Sequence, residues 1–124
     1  MVFFKSLLIS FFGGNTGQML NEVVSFDTEQ RSWCMFVVEG KGPGARAGHT
    51  TTRISESEFV LVGGGDMQMV FRDVYLFNAE HASWQAIETS GQLPPERAGH
   101  SANLCSAEDG RILILGGANA EGEF

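Results

Sequence analysis

Residues 97–100 read Arg-Ala-Gly-His, and the same string stands fifty-one positions earlier, at Arg46-Ala47-Gly48-His49. Working outward in that register, Ser83-Trp84 answers Ser32-Trp33, Phe77-Asn78 answers Phe26-Asp27, and Gly64-Gly65 answers Gly13-Gly14. A third, partial copy brings Gly116-Gly117 one residue late. Chance does not hold a glycine pair, a tryptophan and a four-residue string in one register, so the chain is an internal repeat. A period near fifty residues with strand-like content marks stacked sheet modules, as in a propeller, rather than one compact globule.

Composition agrees with many short strands. The 124 residues hold about two and a half repeats and include 16 glycines, 10 phenylalanines and 3 prolines. The net charge of -7 argues against a nucleic-acid backbone or an anionic membrane surface as the main partner. The carboxylates are scattered rather than run together, which fits a folded surface and not an acidic tail. No segment is long enough to span a bilayer as a helix. Cys34 and Cys105 occupy non-equivalent repeat positions without metal-like spacing, so buried free thiols in a reducing compartment are expected. The cytoplasm is the expected location, with the nucleus also open. From Met1 to Phe12, Lys5 followed by Leu7-Leu8-Ile9 and Phe11-Phe12 resembles a signal peptide. Its apolar run is short, is broken by Ser6 and Ser10, and leads straight into glycines as Phe59–Val62 does, so it reads as a strand.

The repeat then predicts the strands. Each unit has a strand a opening at His49 or His100 and a strand b that is an apolar run ending in glycines. The b strands are residues 7–12, 59–62 and 112–115. An alternating strand c follows at 22–27 and 73–78, and a tryptophan strand d at 33–38 and 84–88. The order b-c-d, a-b-c-d, a-b gives partial blades at 7–38 and 100–117 around one complete blade at 49–89. The glycine pairs allow a backbone conformation or a close approach that a Cβ forbids. The tryptophans supply apolar wedges between blades. Asp27 and Asn78 suit turns in which the side chain bonds its own backbone. Pro43 and Pro94 stiffen the d-to-a loops where no ladder donor is needed.

These elements, namely the glycine pair, Asp73-Val74-Tyr75-Leu76-Phe77-Asn78, Trp84 and Gly91-Gln92-Leu93-Pro94-Pro95-Glu96-Arg97-Ala98-Gly99-His100, resemble the kelch repeat over essentially the whole chain. Only Tyr75 matches the family's strand c tyrosine; Val24 stands there in the first copy. A WD40 reading fails, because no Trp-Asp dipeptide occurs and the period is too long. The resemblance implies an all-β fold of antiparallel four-stranded blades, here an incomplete propeller. A piece of this size leaves blade faces uncovered, so further blades from a longer chain, or copies in self-association, are expected to complete it.

No residue pattern calls for catalysis, a cofactor or a metal. His49 and His100 recur behind Arg-Ala-Gly and are expected to anchor strand a. Arg46 and Arg97 recur as well, which favours an inter-blade ion pair over partner recognition. His81 is expected in an exposed c-to-d turn. Gly63-Gly64-Gly65-Asp66 lacks the Lys-Ser/Thr and helix of a phosphate loop. A copper oxidase is known with a kelch-like propeller, but its site takes tyrosine and histidine ligands, and Tyr75 is the sole tyrosine here. The resemblance therefore implies a non-catalytic protein-interaction module, a fragment of a larger scaffold or adaptor. The alternatives are the propeller portion of an oxidase- or lyase-like enzyme, or a self-associating structural element.

Alternating strand direction sorts the loops onto two rims. The a-to-b and c-to-d rim gathers Glu29, Glu56, Glu58, Glu80, Glu108 and Asp109 against Arg31 and Arg111. The d-to-a and b-to-c rim mixes Lys41, Arg46, Arg72 and Arg97 with Asp66, Glu96, Glu121 and Glu123. The second rim is the expected contact surface, with Met67, Met69, Phe71 and Arg72 at its centre and Lys41 and Gln92 alongside. Met67-Gln68-Met69-Val70-Phe71 stands opposite Thr16-Gly17-Gln18-Met19-Leu20, so the repeat does not dictate it. Exposed methionine suits adaptable contacts.

Overall fold

The computed structural model describes residues 2–15 and 17–122; of the positions read above, Met1, Thr16 and Glu123 lie outside the described residues. Alternating apolar runs punctuated by glycine turns fold as expected into strands, and no helix occurs among the described residues. The first sheet runs β1 (Val2–Phe4), β2 (Leu7–Asn15), β3 (Gln18–Asp27), β4 (Ser32–Met35). The second runs β5 (Thr50–Arg53), β6 (Glu58–Val62), β7 (Val74–Asn78), β8 (Ser83–Ile87). The third holds β9 (Ser101–Ser106) and β10 (Arg111–Leu115). Within each sheet consecutive strands pair antiparallel, which is the meander of a propeller blade. The leading strands lie in sequence, with β5 contacting both β1 and β9.

The first sheet has a strand that the repeat did not reveal. β1 pairs with β2 across a tight turn in which Lys5 takes φ +53°, so this sheet has four strands where b, c and d were expected. Its short hairpin has no Arg-Ala-Gly-His string ahead of it, which removed the marker for strand a.

The structure also corrects the glycine register. The positive-φ pair that ends each strand b is Phe12-Gly13, then Gly63-Gly64, then Gly116-Gly117, at φ +54° and +129°, +60° and +87°, +68° and +90°. The third copy is therefore two residues late, because β9 and β10 make a longer hairpin with an irregularity at Arg111/Ile112. The close approach is real: a Cβ on Gly64 would lie 2.8 Å from the Ala47 carbonyl oxygen, and one on Gly117 2.8 Å from that of Ala98. Phe12 accepts the left-handed conformation without glycine's freedom, and its ring packs on His49 and Trp84 at 5.6 and 5.7 Å.

The core sits between the first and second sheets. Ile9, Phe11 and Val23 from one side meet Phe59, Leu61, Phe77 and Trp84 from the other. Phe11 is the hub, with ring centroids 5.0 Å from Phe77, 5.8 Å from Trp84 and 5.9 Å from Phe59. Cys34 and Cys105 are both exposed, contrary to the expectation of burial. They lie on β4 and β9, in the two outer sheets, where their side chains meet no neighbouring layer among the described residues.

Candidate functional site

The recurrent Arg-Ala-Gly-His string is a junction device. Arg46 is fully buried between the first and second sheets. Its Nη2 donates to Asp73 Oδ2 at 3.0 Å and its Nη1 to Asp73 Oδ1 and to the Gly63 carbonyl at 3.0 Å, while Nε donates to Gly44 O at 3.1 Å. The guanidinium lies 4.1 Å from the centroid of Phe71. A planar fork matched to a carboxylate and stacked on a ring satisfies a buried charge well. Arg97 repeats one of these bonds, Nη1 to Gly116 O at 2.9 Å.

The histidines follow the same logic. His100 is buried and shares a 2.8 Å hydrogen bond, through Nε2, with Thr50 Oγ1, tying the third sheet to the second. His49 packs on Phe12. The Nδ1 of each is buried without a protein partner. Burial holds both imidazoles below their ordinary pKa of 6.5; Arg46 adds to this for His49, against a hydrogen bond with the Phe11 backbone, and Arg97 does so for His100. Among the described residues no group of three His, Cys, Asp or Glu is placed to hold a metal.

The d-to-a and b-to-c loops do share a rim, and grooves form where sheets meet. Over the first junction a depression of about 350 Å³ is lined by Met19, Gly44, Ala45, Asp66, Met67 and Gln68. Over the second junction one of about 440 Å³ is lined by Gln68, Met69, Val70, Glu96, Asn119, Ala120 and Glu121. The tip between them is a tight turn. Asp66 Oδ1 accepts the N–H groups of Gln68 and Met69 at 2.7 and 2.8 Å, which holds its carboxyl below the usual range, and its own N–H reaches the Met69 carbonyl. This turn lifts Met67 and Met69 to 77% and 56% exposure, one over each groove.

The other sequence-predicted contact residues distribute around this tip. Phe71 is half-buried beneath Arg46 and supports the loop. Arg72 makes a long, exposed ion pair with Glu96, Nε to Oε1 3.5 Å. Lys41 lines a third depression of about 420 Å³ with Asn21, Pro43, Gly44 and Trp84. Gln92 is exposed in the d-to-a loop and lines none of these grooves. The expected contact set left out Met19, Gln68, Ala120 and Glu121, although the sequence placed Glu121 on this rim and Gln68 in the non-recurring stretch. Met19 faces Met67 across the first groove, and the repeat alignment offered that signal. The pairing of Ala120 with Met67 was hidden by the extra residues in the third hairpin.

Beyond its geometry, the chain matches the family model described as the KLHDC2/KLHL20/DRC7 Kelch-repeats domain over residues 1–124. It belongs to the kelch-repeat family, whose domains are generally protein-interaction modules. It is similar to a Rho GTPase-activating protein, gacHH, of Dictyostelium discoideum, at 34% identity over 88% of this chain and 7% of that protein. It also resembles the Rab9 effector protein with kelch motifs of Xenopus laevis, at 29% identity over 70% of this chain and 25% of that one. Kelch domain-containing protein 1 of Mus musculus matches at 29% over 82% of this chain and 25% of its own length. The chain thus spans a quarter or less of these relatives.

Proposed function

We propose that this chain is a non-catalytic protein-interaction module, the part of a larger scaffold or adaptor that offers its d-to-a and b-to-c rim to a partner protein. One observation carries this reading: two exposed methionines stand on a hydrogen-bond-locked turn above two inter-sheet grooves, at positions the repeat leaves free. Residues that the architecture requires recur, as Arg46 and His49 do. Met67 and Met69 do not recur, and their thioether side chains adapt to varied partner surfaces. Arg72 contributes a donor beside the second groove, Lys41 lies in the adjoining depression, and Gln92 offers an amide at the loop edge. The small fraction of its relatives that the chain covers agrees with its being one section of a longer propeller.

The test is partner capture by the full protein carrying Met67→Ser and Met69→Ser together, with Phe71 kept so that Arg46 retains its support. Each truncated anchor is expected to remove about 1–2 kcal/mol, so capture should fall at least tenfold while the melting temperature holds. Undiminished capture would move the contact surface to the acidic rim of Glu29, Glu56 and Glu80.

A further inference from the structure

The two grooves of the rim are built on one plan, and they differ at the positions that set their chemistry. In the register fixed by the positive-φ pairs, Asn119, Ala120 and Glu121 stand where the second sheet has Asp66, Met67 and Gln68. The turn is the same in both: Glu121 N–H donates to Asn119 Oδ1 at 2.9 Å as Gln68 N–H donates to Asp66 Oδ1 at 2.7 Å. The backbone bridge is also the same, Ala98 with Ala118 as Ala47 with Gly65. Against that shared frame asparagine replaces Asp66, alanine replaces Met67 and glutamate replaces Gln68, so the carboxylate of the turn moves from its first residue to its third. The second groove is the larger, about 440 against about 350 Å³, and it has a second carboxylate in Glu96, where the first groove has Ala45.

We propose that this second groove receives one arginine or lysine side chain of the partner protein. The alkyl stem lies along Met69, Val70 and Ala120, and the charged end reaches Glu96 and Glu121. The inference rests on the rim reading and names the chemistry that this part of the rim recognises.

Three features of the groove select that occupant. Its lining is mixed, apolar at Met69, Val70 and Ala120 and acidic at Glu96 and Glu121, which is the pattern that a long basic side chain covers by burying its stem while its charged end stays hydrated. Arg72, the cation at its mouth, engages Glu96 only through a 3.5 Å single-point contact with both side chains about half exposed, so with Glu121 the groove keeps one negative charge in excess. An acidic occupant would meet like charge, and a purely apolar one would strip water from the carboxylates without replacing its hydrogen bonds. The first groove offers only the carboxylate of Asp66, whose Oδ1 is already engaged by the N–H groups of Gln68 and Met69.

The test uses the wild-type protein with labelled methionine, alanine and valine methyls, titrated with N-acetylarginine amide, and N-acetylnorleucine amide as the neutral isostere. The arginine probe should move the Met69, Val70 and Ala120 methyls with a dissociation constant on the order of 10 mM, and the norleucine probe several-fold more weakly. Ala120→Met, which copies the first groove, should abolish the response. Glu121→Gln should weaken it about threefold or more at low salt. No response to the arginine probe at about 100 mM, equal shifts from both probes, or a response undiminished in Ala120→Met would each overturn the proposal. These results separate from those of the rim reading. A response to arginine with undiminished capture by the Met67→Ser, Met69→Ser protein overturns the rim reading, and with it the assignment of the bound side chain to the partner. Lost capture with no arginine response overturns only the groove.

Discussion

Trp84 and Trp33 occupy the same place in successive repeats, each on strand d, each one residue after a serine and each opposite a strand c phenylalanine. Trp84 is 8% exposed, wedged among Phe11, Phe12 and Phe77; Trp33 is 64% exposed, and its one ring contact among the described residues is with its cross-strand neighbour Phe26 at 5.1 Å. Identical local sequence gives opposite environments because the wedge acts on the neighbouring sheet, not on its own. The same lesson holds at strand b. Ile9 and Phe11 of β2 are buried beneath the second sheet, whereas Leu113 and Leu115, at those positions of β10, are exposed. What a repeat residue contributes is set by the layer beyond it.

The comparison breaks most directly in the two tryptophans. Trp84→Ala should cost about 3–5 kcal/mol in urea unfolding, since it empties the centre of the aromatic cluster. Trp33→Ala should cost under about 1 kcal/mol. Equal losses would mean that Trp33 is covered in solution, and the open-face description would fall.

Arg46 sharpens the comparison for polar groups. Replacing it with alanine leaves Gly63 O short of a donor and Asp73 without its fork, and should cost about 3 kcal/mol. Arg46→Lys should recover less than half of that, because an ammonium cannot make the bidentate contact and stack on Phe71 at once. Full recovery by lysine would show that charge alone holds the junction.

The smallest effect concerns pH. In the folded chain His49 and His100 have lowered pKa values, so the unfolded chain binds more protons in the window just below the ordinary value of 6.5. Stability is then complete above about pH 7 and declines as pH falls through 6.5 towards the folded values. Urea midpoints at pH 7.5 and 5.5 should show this decline, reduced in His100→Asn. A flat profile for the wild-type chain would mean that both imidazoles reach water.

By itself the sequence determined the fold. The recurrence of Arg-Ala-Gly-His, the glycine pairs and the tryptophans specified antiparallel sheets of one pattern, because residues that hold a blade together must return at each blade. It also marked the rim tip, since Met67-Gln68-Met69 breaks the repeat. Tertiary structure decided what depends on neighbouring layers. Strand β1 needed a partner to become visible, for three residues carry no periodic signal of their own. The cysteines are exposed because no layer covers their faces. The true register of Gly63-Gly64, and with it the match of Ala120 to Met67, followed from backbone φ values and hairpin length, which identical glycine letters cannot distinguish. Burial and groove shape arise from contacts between sheets, and a repeat states the sheet without stating what lies against it.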